Sequence, residues 1–176
     1  MTKLTREQFK ERLKAIKLMA LDVDGVLTDN ALLFGPDGFE MKRFNIADGF
    51  YMKLAMRAGL EIAIVSGRYS PATDTRMKEL GVKRVMQGNP DKVAMLKPSL
   101  DELGITMSDV ASVGDEILDL ALARKVGLPI AVNNAAKELR EIALYVTNTI
   151  GGAGAVREIL ECWFEAVDKN PEQYIY

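Results

Sequence analysis

The sequence predicts a doubly wound α/β fold, a parallel sheet with helices on both faces. Short apolar runs suited to buried strands recur along the chain, and helix-length segments alternate with them. The length of 176 residues suits one domain, spanning 1–176, large enough to bury a core without staples. With 48% hydrophobic and 27% charged residues, a disordered or collagen-like chain is excluded.

Residues 5–16 read as a short helix: Thr5 and Gln8 have capping-box spacing, and Phe9, Leu13 and Ile16 share a face. Strand-like runs follow at 18–21, 62–65, 110–113, 129–132 and 144–146, with a weaker one at 82–86. Helices are expected at about 48–58, 71–80, 90–103, 117–126, 134–142 and 153–168. One stretch breaks the alternation. Residues 31–34 and 39–44 flank Gly35-Pro36-Asp37-Gly38, a strong turn signal, and predict a β-hairpin after the first strand. It is too short to be a lid domain. The tail, 169–176, is polar with aromatic ends, and is expected to be loose or to dock on a partner chain.

Composition narrows the chemistry. Lys and Arg number 23 against 25 Asp and Glu, a net charge of −2 that draws the chain to neither nucleic acid nor an anionic membrane. Histidine is absent, which excludes a Ser-His-Asp triad and imidazole-bound zinc. A lone Cys162 excludes an internal disulfide and fits a reducing compartment. The N-terminal 17 residues are basic without an apolar core, and the run 18–21 stops at Asp22. That is neither a signal peptide nor a membrane span, so a cytoplasmic protein is expected.

The most informative segment is Asp22-Val23-Asp24-Gly25, where an apolar strand ends in two carboxylates. Such neighbours repel unless a cation or shared proton compensates, and an oxygen-loving divalent ion would do so. Alone, the pair also fits an Asx-turn or a helix cap. Later features add weight. Ser66 follows a buried strand, Lys92 opens a helix, and Asp115 and Asp119 follow another strand four residues apart. A doubly wound sheet brings strand ends to one edge, where ligands bind.

This set resembles the haloacid dehalogenase superfamily of phosphotransferases. Asp22-Val23-Asp24-Gly25-Val26 matches its first motif, Ser66 the second, Lys92 the third, and Gly114-Asp115 with Asp119 the fourth. The resemblance implies that Asp22 attacks phosphorus and that Asp24 protonates the leaving alcohol and then activates water. It also implies Mg²⁺ on Asp22, the Asp24 carbonyl and Asp115, with Asp119 in support. Ser66 and Lys92 would hold phosphoryl oxygens. A closer resemblance, over about 18–161, is to the 3-deoxy-D-manno-octulosonate 8-phosphate phosphatase family. It rests on Asp24–Asp29, the hairpin, Phe44–Gly49, Ser66-Gly67-Arg68, Arg76, Gln87-Gly88 with Lys92, and Gly151–Glu158. That family is capless and tetrameric, with hairpins assembling the tetramer and a neighbour covering each site. Its product is an eight-carbon sugar acid for lipopolysaccharide. The resemblance places Asn45, Ile46, Ala47, Asp48, Gly49, Lys53, Arg68 and Arg76 around the sugar acid. Ala47 and Lys53 stand where the family usually has a basic residue and an arginine, so a nine-carbon sugar-acid phosphate is the alternative substrate. A phospho-accepting receiver domain is the alternative from another class.

Overall fold

A computed structural model describes residues 2–176. The first helix, α1 (Arg6–Leu13), starts with the predicted capping box between Thr5 and Gln8. The strand β1 (Leu18–Leu21) follows, then the hairpin strands β2 (Leu33–Phe34) and β3 (Glu40–Met41). Next come α2 (Ile46–Arg57), β4 (Glu61–Ser66), α3 (Pro71–Leu80), β5 (Arg84–Gln87) and α4 (Lys92–Leu103). The chain continues through β6 (Val110–Gly114), α5 (Leu120–Ala123), β7 (Leu128–Ala131), α6 (Lys137–Ile142), β8 (Tyr145–Val146) and α7 (Ala155–Ala166).

Six of these strands form one parallel sheet in the order β5-β4-β1-β6-β7-β8. The chain builds outward from β1 to β5, then crosses back to lay β6 on the other side. That reversal opens a crevice at the carboxyl ends of β1 and β6. The strands are apolar on both faces because both faces are covered. Met19, Leu21, Ile62, Ile64 and Val113 pack with Phe9 of α1, Met52 of α2 and Ile159 of α7. The alternating positions Leu18, Ala20, Ala63 and Val65 pack with Leu96 and Leu100 of α4 and Leu122 of α5.

The hairpin is present but pairs only two residues per strand, Leu33 with Met41 and Phe34 with Glu40. The Gly35 N–H donates to the Phe39 carbonyl, and Gly38 takes a left-handed φ of +73° that glycine adopts without strain. Two further expectations change. The helix anticipated at 117–126 is a 3₁₀ turn (Ile117–Asp119) followed by the single turn of α5. The tail docks on its own chain: Arg57 donates to the carbonyls of Tyr174 and Ile175, and the Tyr174 ring lies 6.1 Å from that of Phe164. No helix among the described residues is long and apolar enough to cross a membrane.

Candidate active site

The carboxyl ends of β1 and β6 deliver a buried charge cluster. Asp22 follows β1 directly, and its N–H donates to the Val113 carbonyl of the neighbouring strand. Lys92, the first residue of α4, is buried with its ammonium 2.9 Å from Asp22 Oδ1 and 2.6 Å from Asp119 Oδ1. Burial alone would lower the lysine's proton affinity; the two carboxylates outweigh it and raise the pKa. The other oxygen of Asp119 accepts from the N–H groups of Asp115 and Glu116, at 3.0 and 3.1 Å. Asp119 is thus a strut between the lysine and the loop after β6, and that pull winds 117–119 into a 3₁₀ turn.

Asp115 completes the cluster. Ligand oxygens of Asp22, Asp115 and Asp119 lie within 4.8 Å of one another, all buried. Asp115 Oδ1 is buried without a hydrogen-bond partner. Burial, reinforced by Asp22 and Asp119, pushes the Asp115 pKa up to about 8; burial and Asp119 push Asp22 up to about 6. One ammonium does not balance three carboxylates. An orphaned oxygen in an all-carboxylate set suits a hard divalent cation such as Mg²⁺. Gly25, at a left-handed φ of +82°, permits the close approach, since a side chain there would collide with the Asp115 carboxylate.

Asp24 stands outside this cluster. Its side chain is paired with Lys42 and with Arg68, whose Nε lies 3.3 Å from Asp24 Oδ2. A cavity of about 280 Å³ opens above, lined by Asp22, Asp24, Asn30, Leu32, Ser66, Gly67, Arg68, Asp115, Glu116 and Leu118. Ser66 is buried at the end of β4, and its hydroxyl donates to the Arg68 carbonyl at 3.0 Å.

The other residues expected around a sugar do not line this cavity. Asn45 caps α2, accepting from the N–H groups of Ala47 and Asp48. With Ala47 it lines a separate groove beside Thr149, Gly154 and Arg157, and Ile46 is exposed. Asp48 is buried and accepts from the Arg157 N–H at 2.7 Å, at the start of α7. Arg76 pairs with Glu79 at 2.8 Å and lies over Gly49, where a side chain would strike it. Lys53 lines another groove with Met56, Arg57 and Lys83. The glycine-rich run Gly151–Gly154 lies beside the loop that follows β1. Gly151 and Gly152 pack on that loop: Gly152 N–H donates to the Val26 carbonyl at 2.8 Å, and a Gly151 side chain would strike the Gly25 carbonyl.

Sequence reasoning missed Glu40 and Lys42. Glu40 is on β3 and Lys42 is the residue just past it; two apart in extended chain, both reach the Asp24 side of the hairpin. The alternation was there to read, but only the tertiary fold says which face meets the site.

The chain is similar to known phosphatases in sequence and in fold. A model for haloacid dehalogenase-like hydrolases matches residues 84–159. The 3-deoxy-D-manno-octulosonate 8-phosphate phosphatase of Escherichia coli strain K12 is 39% identical over 157 residues, covering 89% of this chain and 84% of that protein. The Yersinia pestis phosphatase of the same name is 35% identical over 159 residues, covering 90% and 85%. A crystal structure of the Moraxella catarrhalis phosphatase, in complex with magnesium, phosphate and a KDO molecule, superposes with a TM-score of 0.90 at 37% identity, covering 96% of this chain and 97% of that one. A chain so similar along nearly its whole length, with acids, serine and lysine gathered at the same sheet edge, belongs to the 3-deoxy-D-manno-octulosonate 8-phosphate phosphatase family of haloacid dehalogenase-like hydrolases.

Proposed function

We propose that this chain is a Mg²⁺-dependent phosphatase that hydrolyses 3-deoxy-D-manno-octulosonate 8-phosphate to the sugar acid and phosphate. The observation that carries the reading is the buried cluster of Asp22, Asp115, Asp119 and Lys92, with Asp24 alongside. Asp22 attacks phosphorus, forming an aspartyl-phosphate as the bond to the departing alcohol breaks. Asp24 gives that alcohol its proton and then takes one from the water that cleaves the intermediate. Lys92 and the Ser66 hydroxyl hold phosphoryl oxygens. Asp22, Asp115 and the Asp24 carbonyl hold Mg²⁺. Both Asp119 oxygens already accept hydrogen bonds, so it acts by fixing Lys92 and the 115–116 backbone. The bound ion supplies positive charge to the phosphoryl group and the nucleophile.

The described residues form one domain without a lid, and Arg68 on the cavity rim faces the sugar acid. The hairpin exposes apolar side chains, Phe34 at 63% and Phe39 at 65%. Such a patch suits an interface between copies, and in a homotetramer a neighbour would close the cavity and bring Asn45–Gly49, Lys53 and Arg76 within reach of bound sugar. A cytoplasmic place in lipopolysaccharide precursor synthesis follows from the substrate.

The test is phosphate release with Mg²⁺ from 3-deoxy-D-manno-octulosonate 8-phosphate, a nine-carbon sialic-acid-type 9-phosphate and hexose phosphates. Preference for the eight-carbon ester is expected, with activity lost in EDTA and restored by Mg²⁺. Asp22→Asn is expected to lower kcat on the order of 10⁴-fold with unchanged circular dichroism. Preference for the nine-carbon ester would move the substrate and keep the chemistry. Retained turnover in Asp22→Asn would remove the nucleophile assignment.

A further inference from the structure

We propose that Glu40 is a positioning residue for the reaction, fixing Arg68 and Lys42 against the Asp24 carboxylate; this rests on the phosphatase reading of the same cavity. The Arg68 fork closes on Glu40: Nη1 donates to Oε2, and Nη2 donates to Oε1 at 3.2 Å. Nε is the nitrogen that reaches Asp24. The Ser70 hydroxyl donates to Glu40 Oε1 at 2.6 Å and locks the carboxylate from behind. Lys42, its side chain 1% exposed, reaches Asp24 Oδ1 and sits 3.8 Å from Glu40 Oε1. Each oxygen of Asp24 therefore faces one cation, and both cations answer to a single carboxylate on β3. The Arg68 hydrogen bonds and burial act in opposite senses on Glu40, and the bonds win, holding its pKa near 2, so it stays charged wherever the enzyme works.

The geometry has a chemical consequence. A guanidinium fork prefers to grip a carboxylate with two parallel bonds. Without Glu40, Arg68 is free to turn its fork onto Asp24 and occupy both oxygens. Asp24 must exchange a proton with the alcohol, and a carboxylate gripped bidentately is badly placed for it. Glu40 keeps Arg68 edge-on, so that it orients Asp24 without capturing it.

The experiment compares kcat/KM for two esters, using the full chain with Mg²⁺. This parameter reports the steps up to departure of the alcohol. One ester is 3-deoxy-D-manno-octulosonate 8-phosphate, whose alkoxide needs a proton; the other is p-nitrophenyl phosphate, whose phenolate leaves without one. Glu40→Gln is expected to lose about 10- to 100-fold on the sugar phosphate and markedly less on the aryl ester. Glu40→Asp, which keeps the charge on a shorter stem, is expected to show the same selective loss at smaller size, and it serves if the glutamine variant does not fold. Equal losses on both esters, or no loss on the sugar phosphate, overturn the proposal. If the unmodified chain releases phosphate from neither ester, the phosphatase reading falls, and this inference with it.

Discussion

The carboxylate cluster and the hairpin border the same cavity, yet they are built on opposite principles. The cluster is buried at the ends of two central strands, each paired on both sides along its length. Its charges are held by one another and by backbone: Lys92 by two aspartates, Asp119 by two N–H groups. The hairpin has two residue pairs, and its outer face is apolar and exposed. An isolated pair of strands this short is not stable in water. What ties it to the body includes two inward polar contacts, Lys42 on Asp24 and Arg68 on Glu40, and a surface pair, Arg43 on Asp29. The reaction centre thus inherits the rigidity of the core. The cavity rim depends on ion pairs within the chain and, in our reading, on a neighbouring subunit.

Breaking the cluster gives the largest expected effect. Lys92→Met keeps the side chain's bulk and removes the charge between Asp22 and Asp119. Leaving buried carboxylates without their partner is expected to cost about 3–5 kcal/mol, seen as an earlier urea midpoint. A midpoint within error of the parent would mean that the ammonium contributes nothing net to the fold.

A buried charge away from the cavity sharpens the comparison. Burial outweighs the backbone donors around Asp48 and raises its pKa to about 6 from an ordinary 3.8. The folded chain therefore holds the proton more tightly than the unfolded one. Stability is full below about pH 3.8 and falls as pH rises through about 6. Asp48→Asn retains an acceptor for the Arg157 N–H and removes the ionisation. It is expected to gain about 1–3 kcal/mol relative to the parent at pH 7.5, shrinking toward pH 4. A gain independent of pH would show that ionisation of Asp48 is not the cause.

The smallest effect on the subunit is expected at the hairpin's outer face. Phe34→Ser with Phe39→Ser removes exposed apolar surface and no internal contact of the cluster. Subunit stability is expected to change by no more than about 0.5 kcal/mol, while the mass by light scattering drops below that of the proposed tetramer. An unchanged mass would take the hairpin out of the proposed assembly.

How much of this was legible depended on range. The strand 18–21 was read to the residue because four apolar positions end at a charged one, and β1 is buried on both faces. The capping box of α1 is a local device and was read locally. The acids, Ser66 and Lys92 were legible as strand-end and helix-start residues, and the topology brings Asp22, Lys92, Asp115 and Asp119 together. The segment 117–126 was misread because its first turn is wound by Asp119 reaching back to two N–H groups, which periodicity does not register. The hairpin was recognised from its turn, but its length was overestimated because pairing stops where Lys42 turns to Asp24. Asn45, Ala47, Asp48, Lys53 and Arg76 were grouped by resemblance, and within one chain the fold puts none of them in the lining of this cavity, with Asp48 buried under α7.

The glycine-rich run also sets when this protein becomes a functional object during its synthesis. The loop carrying Asp24 and Gly25 is made early, but the backbone that braces it, Gly151 and Gly152, is made late. Between them the ribosome must deliver Lys92, Asp115 and Asp119. Contacts this distant in sequence form slowly and last. A nascent chain released before that run has emerged would carry every motif of the first half and no braced site. Unpaired acids and an apolar hairpin on such a fragment are features that invite aggregation and proteolysis.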